Sequence, residues 1–218
     1  MAISEAIKVL SLHGIQIVIR HGSVLDFEPS SNSSTLVNAA NEGCLGGGGV
    51  DGVISAAGGY ELLCARMALP QIEGKSVRCL TGDAKLTGPG IFGIIKTNHV
   101  IHAVGPNYNK FKLEDYPKAD HLLKSAYIRS LEIAHSARIE EVYFSLLSSG
   151  AYRAKKSQKS VLKIAIGSIF EWAASRSKCS SVNVVVLCCF TTLEFRYLCE
   201  LVDQILKCQN NQTMTNKR

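Results

Sequence analysis

The chain has 218 residues, of which 46% are hydrophobic and 19% are charged, and its formal net charge is +6. This balance excludes a disordered chain, and the length allows one large domain or two small ones. No stretch reaches the roughly 18 apolar residues of a membrane helix, and the N-terminus lacks the layout of a secretory signal. We therefore expect an intracellular protein, in the cytoplasm, with the nucleus and the mitochondrion left open.

The eight cysteines form no C-x-x-C pair, and most of them lie in apolar segments. A thiol in such a segment behaves as a small hydrophobic group. We therefore expect reduced thiols, and neither a disulfide framework nor a metal site.

The first half of the chain contains short β-branched runs and two short helical patterns. His13-Gly14 separates the first two runs and indicates a hairpin, and a second hairpin is expected around Thr97-Asn98. Pro70 ends the second helix. In chain order, we predict strands over 7–12, 15–20 and 36–39, helices over 50–57 and 60–69, a strand over 77–80, a turn-rich connector over 82–90, and strands over 91–95 and 100–104.

The second half has longer elements, and its strands are apolar throughout, as is typical of strands buried on both faces. Thr191 or Thr192 is expected to cap the final helix. In chain order, we predict a helix over 115–137, a strand over 142–147, a loop over 148–153, a helix over 157–174, a strand over 182–190 and a helix up to 206. Residues 209–218 have no apolar face and are predicted to be a disordered tail.

Strands that alternate with helices after an N-terminal hairpin predict a three-layer α/β/α fold with a mixed, largely parallel central sheet. We assign residues 1–208 to a single domain. Ligands of such sheets bind beyond the carboxyl ends of the parallel strands. Two glycine-containing loops follow strands at those ends, so we expect the loops to form one site.

The most informative stretch is VNAANEGCLGGGGVDG, over 37–52. Four consecutive glycines let backbone N–H groups approach a ligand closely. The helix expected from Val50 offers an anion its free N–H groups and its dipole. Asn38, Asn41 and Asp51 add polar side chains around the same turn. The stretch therefore predicts a phosphate-bearing ligand with a polar group that Asn41 and Asp51 reach.

Two other phosphate-binding motifs fit this loop less well. Gly47, Gly49 and Gly52 satisfy the spacing of the dinucleotide fingerprint. That fingerprint belongs on the first βα turn, with an acidic residue about 20 positions later at a strand end. Here two strands come first, and Glu73 lies before Gly74 in a loop. A Walker loop is excluded because no Gly-Lys-Ser/Thr follows.

The same stretch resembles the macrodomain family, and in particular its MacroD-type branch, which carries VNAAN, a short spacer with Leu, and GGGGVDG. The match runs over 37–52 and resumes at 56–58. Further similar pieces follow in order at 82–84, 100–106 and 148–152, so the resemblance covers roughly residues 7–206. It implies a monomeric protein whose partners are ADP-ribose and ADP-ribosylated proteins, with no cofactor.

The resemblance also implies roles for single residues. Asn41 would hold the distal ribose, and Asp51 would orient or deprotonate a water that attacks the anomeric carbon, so both are candidate catalytic residues. Tyr152 would cover that ribose, Phe190 would flank the adenine, and loop amides would bind the diphosphate. The candidate ADP-ribose-binding residues are Ser23, Val24, Asn38, Ala39, Gly46, Gly47, Gly48, Gly49, Val50, Ser148, Ser149, Gly150, Ala151, Tyr152, Arg153 and Phe190.

Plainer roles stay open for several of these residues. Asn41 could satisfy the backbone of its own turn, and Asp51 could cap the helix that follows. Tyr152 and Phe190 could fill the core. His102, in an apolar strand, is expected to be a core histidine.

Three residues depart from the family's pattern. Ser23 stands where an acidic residue usually accepts a hydrogen bond from the adenine amino group. Ser55 stands where the hydrolytic branch usually has His, and Arg153 where a Gly is typical. Arg153 fits poorly if that position needs a positive φ, or it could fold onto the diphosphate.

Two functional hypotheses follow. The first is an enzyme that hydrolyses ADP-ribose esters, meaning mono-ADP-ribose on Asp or Glu side chains and O-acetyl-ADP-ribose. The second is a reader that binds ADP-ribose without releasing it. Nucleic-acid binding through Arg153, Lys155, Lys156 and Lys159 is not expected as the main function, because aromatic residues beyond Tyr152 are absent from the cluster and no nucleic-acid module is recognised.

Overall fold

The computed structural model describes residues 7–72, 74–176 and 180–215. Within these residues, seven strands form one sheet and four α-helices pack around it. The strands are β1 (Ile7–Leu12), β2 (Ile15–His21), β3 (Ser34–Ala39), β4 (Ala84–Thr87), β5 (His99–Ala103), β6 (Glu141–Ser145) and β7 (Val184–Cys189). The helices are α1 (Val50–Met67), α2 (Tyr116–Ser136), α3 (Gln158–Ser175) and α4 (Thr192–Thr215).

The strand order in the sheet is β1-β2-β7-β6-β3-β5-β4. The five inner strands run parallel, whereas β1 and β4, at the two edges, pair antiparallel with their neighbours. This confirms the predicted mixed, largely parallel sheet. The carboxyl ends of the five inner strands therefore meet at the same end of the sheet.

Helices cover both faces of the sheet, which confirms the three predicted layers. Val37, Ile101 and Phe144 belong to the core shared with α2, α3 and α4. Leu36 and Val100, their neighbours along the strands, belong to the core shared with α1. Because successive side chains of a strand point to opposite faces, an apolar run such as β3 supplies both cores.

Helices α3 and α4 begin at side-chain caps. Ser157 Oγ accepts a hydrogen bond from Ser160 N at 3.1 Å. Thr191 Oγ1 accepts one from Glu194 N (3.2 Å), and the Glu194 carboxylate accepts one in return from Thr191 N (3.0 Å). This reciprocal pair is a capping box, so Thr191 is the cap of α4.

Two predicted strands are wrong. Residues 77–80 and 91–95 are irregular, and the antiparallel partner of β5 is β4, inside the segment predicted as a connector. Phe92 and Ile95 of this run pack in the core shared with α1 instead, and Ile94 N donates a hydrogen bond to Ala57 O at 2.9 Å. Because its backbone is used in this contact, the run does not join the sheet.

The final helix is longer than the sequence predicts. Helix α4 continues to Thr215 rather than ending at 206. It therefore includes residues 209–215 of the predicted disordered tail, while residues 216–218 lie outside the described part of the chain. None of the helices in the described ranges is both long enough and apolar enough to cross a membrane.

Candidate functional site

A cavity of about 610 Å³ opens where the parallel strands end. Both glycine-containing loops border it, so the structure brings them together as the sequence predicts. The predicted site residues that line the cavity are Ser23, Val24, Ala39, Asn41, Gly47, Gly48, Gly49, Val50, Asp51, Ser148, Ser149, Gly150, Ala151, Tyr152 and Phe190. Cys188 and Glu194 line it as well, although the sequence did not single them out.

Three predicted site residues do not line the cavity. Asn38 is fully buried beneath it, and Gly46 uses its carbonyl to accept a hydrogen bond from Asn41 Nδ2 (2.8 Å). Arg153 turns to its own loop, where Nε donates to Ser149 O (3.3 Å) and Nη1 to the next turn. Arg153 itself has no positive φ, whereas the next residue, Ala154, does (54°). The expected backbone conflict therefore does not arise at Arg153.

Helix α1 begins at the cavity with a glycine. Gly49 has φ 61° and ψ −137°, a conformation that strains residues with a Cβ. No side chain of the described residues caps this helix. Asp51 lies in the first turn but does not cap the helix, so the capping role considered for it from the sequence is wrong. The free N–H groups of the first turn and the helix dipole favour an anion at this end.

In the second glycine-containing loop, residues 148–153, the serine hydroxyls bond to the main chain. Ser148 Oγ donates to Pro106 O (2.8 Å), and Ser149 Oγ donates to Leu146 O (3.1 Å). Gly105 packs so closely that an added Cβ would lie 2.3 Å from Ser148 Oγ. With these hydroxyls engaged, the loop offers the cavity mainly its main chain and Tyr152.

Asn41 and Asp51 converge on the backbone of Gly47. A Cβ added to Gly47 would lie 2.9 Å from Asn41 Nδ2 and 3.1 Å from Asp51 Oδ2. The Asn41 amide also holds its own loop, because Oδ1 accepts from Gly43 N (3.0 Å) and Nδ2 donates to Gly46 O. Asn41 is thus a turn asparagine, as one of its sequence interpretations has it, and it also lines the cavity.

Asp51 lies in a buried polar network beneath the loop. It is 3% exposed, and its Oδ1 accepts a hydrogen bond from Asn38 Nδ2 at 2.8 Å. Arg66, 1% exposed, forms an ion pair with the same oxygen, with Nη2 at 3.1 Å. Asp51 Oδ2 accepts no hydrogen bond from the residues that the structure describes. One carboxylate oxygen is therefore fixed and the other is unpaired.

His102 extends this network across β5 and β4. Asn38 Nδ2 lies 3.3 Å from His102 Nδ1, and Thr87 Oγ1 lies 3.1 Å from Nε2. Because Thr87 donates its proton to Val100 O, we assign the His102 proton to Nε2. Burial, with the nearby Arg66 charge, lowers the pKa of His102 well below its usual value. His102 is therefore a neutral core histidine, as predicted, but one that orients Asn38.

Sequence reasoning missed Arg66. A weak signal was present, because Arg66 follows the buried Leu62 by four positions and so lies on the apolar side of α1. An arginine on such a stripe is seldom fully buried without a partner. The partner could not be foreseen, because Asp51 lies on the other side of an interruption in the helix.

The far end of the cavity is formed by Ser23, Val24 and Phe190. Ser23 Oγ accepts a hydrogen bond from Leu25 N (3.2 Å), so its hydroxyl proton is the group that it can offer a ligand. Phe190 is 77% exposed and is therefore not a core residue. Burial raises the pKa of the nearby Cys188 thiol to about 12, so this wall carries no thiolate.

No group of three or more His, Cys, Asp or Glu side chains within the described ranges is arranged to hold a metal ion. The chemistry that the arrangement supports comes from main-chain N–H groups, one amide and one carboxylate.

Comparisons with known proteins agree on one family. The model described as Macro domain matches residues 37–165. A macro domain-containing protein of Vibrio parahaemolyticus is 38% identical over 145 residues, which are 66% of this chain and 79% of that protein. O-acetyl-ADP-ribose deacetylase 1 of Pantoea vagans is 34% identical over 154 residues, 71% of this chain and 83% of that protein. The solved Oceanobacillus iheyensis macrodomain with ADP is 26% identical, with a TM-score of 0.78, and the match covers 93% of this chain and 98% of that one.

Proposed function

Because the chain belongs to the macro domain family, we propose that it binds ADP-ribose in the cavity at the carboxyl ends of its parallel strands. The observation that carries the proposal is the meeting of two main-chain loops at an uncapped helix start. The cavity volume, about 610 Å³, also lies in the usual range for small-molecule sites.

The diphosphate fits between the two loops, where main-chain N–H groups of 46–50 and 149–152 and the start of α1 offset its charge. The base then extends toward Ser23, Val24 and Phe190, and the distal ribose lies by Asn41 and Asp51. Tyr152, which lines the cavity, covers that ribose. This orientation brings the reacting end of the ligand to the unpaired Asp51 Oδ2.

We further propose that the chain hydrolyses ADP-ribose esters, in mono-ADP-ribosylated Asp or Glu side chains and in O-acetyl-ADP-ribose. For a protein-linked ester, Asn41 holds the ribose and Asp51 orients or deprotonates a water. The water oxygen bonds to the anomeric carbon, and the carbon–oxygen bond to the side-chain carboxylate breaks, so that the carboxylate leaves. Dipoles fixed before the reaction supply most of the acceleration. Relatives named as O-acetyl-ADP-ribose deacetylases support the hydrolysis of ADP-ribose esters in general.

A reader without turnover is the second candidate, and two observations favour it. Asp51 is buried, and its carboxylate already interacts with Arg66 and Asn38. Ser55, where the hydrolytic branch usually has His, points the same way.

A de-modification assay separates the two candidates. The protein is incubated with labelled, mono-ADP-ribosylated substrates whose linkage is to acidic residues or to serine, and calorimetry measures ADP-ribose binding in parallel. An esterase releases the label from the acidic linkage, whereas a reader binds ADP-ribose and leaves both labels in place. Absence of ADP-ribose binding would contradict both candidates.

The proposed partners are ADP-ribosylated proteins. We propose that the chain binds them inside the cell, as a monomer. Nucleic acid is not proposed as a partner, because two lysines of the basic cluster are already paired. Lys156 Nζ lies 2.9 Å from Asp120, and Lys159 Nζ lies 2.6 Å from Glu200.

A further inference from the structure

Arg66 is a buried charged residue beneath the cavity to which the proposed mechanism gives no role. Its Nη2 lies 3.1 Å from Asp51 Oδ1. Its Nη1 donates to Ser55 Oγ (2.8 Å), and Ser55 Oγ donates to the main-chain oxygen of Asp51 (2.7 Å). The guanidinium therefore contacts the side chain of Asp51 directly and its main chain through Ser55.

A turn within α1 makes this contact possible. Asp51 and Arg66 are 15 positions apart, and in a straight helix their Cα atoms would be separated by about 22 Å. Gly59, with φ 59° and ψ −153°, interrupts the helix. The second half of α1 therefore turns back toward the first, and the ion pair is a property of the fold rather than of helical spacing.

A carboxylate buried beside a diphosphate needs a counter-charge. Asp51 is 3% exposed, and a buried charge without a partner is strongly unfavourable. The titratable groups around it are Arg66 on α1, His102 on β5 through Asn38, and Cys44 on the glycine-rich loop. Since burial keeps His102 neutral, Arg66 supplies the positive charge in contact with the carboxylate.

We propose, on the basis of the proposed function, that Arg66 is a positioning residue of the ADP-ribose site. Arg66 and Asn38 both contact Oδ1 of Asp51 and so fix the side chain, and Oδ2 is left to serve the distal ribose of the ligand or the attacking water. Asp51 and Arg66 together carry no net charge, so they add no electrostatic repulsion toward the diphosphate.

A double-mutant cycle on ADP-ribose affinity tests this role, because a purely structural loss would not depend on the residue at position 51. Calorimetry measures the dissociation constants of the wild type, of Arg66→Met and Arg66→Gln, of Asp51→Asn, and of the double variant Asp51→Asn/Arg66→Met. We expect both Arg66 variants to bind ADP-ribose about 10-fold more weakly than the wild type, because the charge of Asp51 beside the diphosphate is then uncompensated. In the Asp51→Asn background, Arg66→Met should change the affinity by less than about twofold.

Arg78→Met is the matched control. Arg78 is also buried beneath this loop, at 8% exposure, but contacts Gly43 O (3.4 Å) rather than Asp51. Its loss should change the ADP-ribose affinity by the same factor whether residue 51 is Asp or Asn.

The outcomes separate this proposal from the proposed function. If the wild type binds ADP-ribose and Arg66→Met changes the affinity by the same factor with and without Asp51→Asn, the role of Arg66 is wrong and the proposed function stands. If the wild type does not bind ADP-ribose, the proposed function fails first. If the single variants do not fold but the double variant does, the charge pairing is supported. If the double variant does not fold either, Arg66 is structural only and the proposal is overturned.

Discussion

At the residue scale, the candidate site depends on the contacts that hold one buried carboxylate, that of Asp51, beneath the cavity. Asn38, Arg66 and Ser55 hold Asp51 from one side, and Gly47 leaves room for its Oδ2. A substitution at Asp51 therefore affects both the proposed chemistry and the burial of Arg66. An isosteric amide separates the two effects better than alanine, because it still accepts the hydrogen bond from Asn38.

The Asp51→Asn variant should bind ADP-ribose nearly as well as the wild type but release the label about 100-fold more slowly, since it cannot deprotonate a water. Single-turnover release from an acidic-linked substrate measures the rate, and calorimetry measures the affinity. The control is Asp203→Asn, which should leave the rate unchanged. Asp203 lies on α4, is exposed, and pairs with Lys8. Release by Asp51→Asn within about twofold of the wild type would show that the assigned role is wrong.

His102 makes the stability of the fold depend on pH. Its folded-state pKa is lowered from 6.5 by burial, so the unfolded chain binds a proton that the folded chain does not. The stabilisation from the neutral ring is present above pH 6.5 and decreases as the pH falls, by up to about 1.4 kcal/mol per pH unit from this residue. Urea denaturation between pH 7 and pH 5 measures the free energy of unfolding.

His102→Gln, which can still hydrogen-bond Asn38, should show a shallower decrease in stability over that pH range than the wild type. His99, whose pKa is also lowered by burial, adds a smaller slope that both proteins share. An unchanged decrease in the variant would assign the acid sensitivity to other groups.

At the scale of the elements, α1 is the part that organises the site. Its first turn borders the cavity, its interruption at Gly59 turns the chain, and its last turn returns Arg66 beneath the loop. The sequence predicted the two halves as separate helices on either side of residues 58–59, and the break is confirmed. The sequence pattern could not predict the angle between the two halves of α1, because that angle depends on the main-chain conformation of Gly59.

The Gly59→Ala variant should lower the free energy of unfolding by about 1–3 kcal/mol, because the φ and ψ of Gly59 are strained for a residue with a Cβ. Gly167→Ala in α3 is the matched control: an added Cβ meets nothing within 4 Å there. It should be neutral or stabilising by up to about 1 kcal/mol. Chemical denaturation compares the two, and equal stabilities would contradict the role of Gly59.

At the scale of the whole molecule, the fold brings distant parts of the chain to one end of the sheet. Ser23 follows β2, the glycine-rich loop follows β3, Ser148 follows β6 and Phe190 follows β7. A ligand that spans the cavity therefore contacts segments from both halves of the chain. Its binding should stabilise the entire domain rather than one loop.

ADP-ribose at about 100 times its dissociation constant should raise the stability by about 2.7 kcal/mol. For a domain of this size, that corresponds to a rise in Tm of about 5–11 °C. Ribose 5-phosphate, which lacks the base and the second phosphate, should give a much smaller rise at the same concentration. Equal shifts with both ligands, measured by thermal denaturation, would indicate that the base end and the diphosphate loops do not take part.

The sequence alone was sufficient for the layers of the fold, the parallel centre of the sheet, and the two loops that border the cavity. These features follow from local signals: apolar periodicity, turn residues, and a run of glycines before a helix. The failed hairpin at 91–95 shows the limit of such signals, because an apolar run reads the same whether it pairs in a sheet or packs on a helix.

The contacts beneath the loop required the tertiary structure. Asp51 meets Arg66 across an interrupted helix, and Asn38 meets His102 across neighbouring strands, so no local pattern records either pair. Arg153 shows the opposite case. Its position in the sequence suggested a contact with the ligand, but its guanidinium donates hydrogen bonds to its own loop. Sequence patterns predicted which loops would meet at one cavity, but the orientation of each side chain depends on neighbours that only folding brings together.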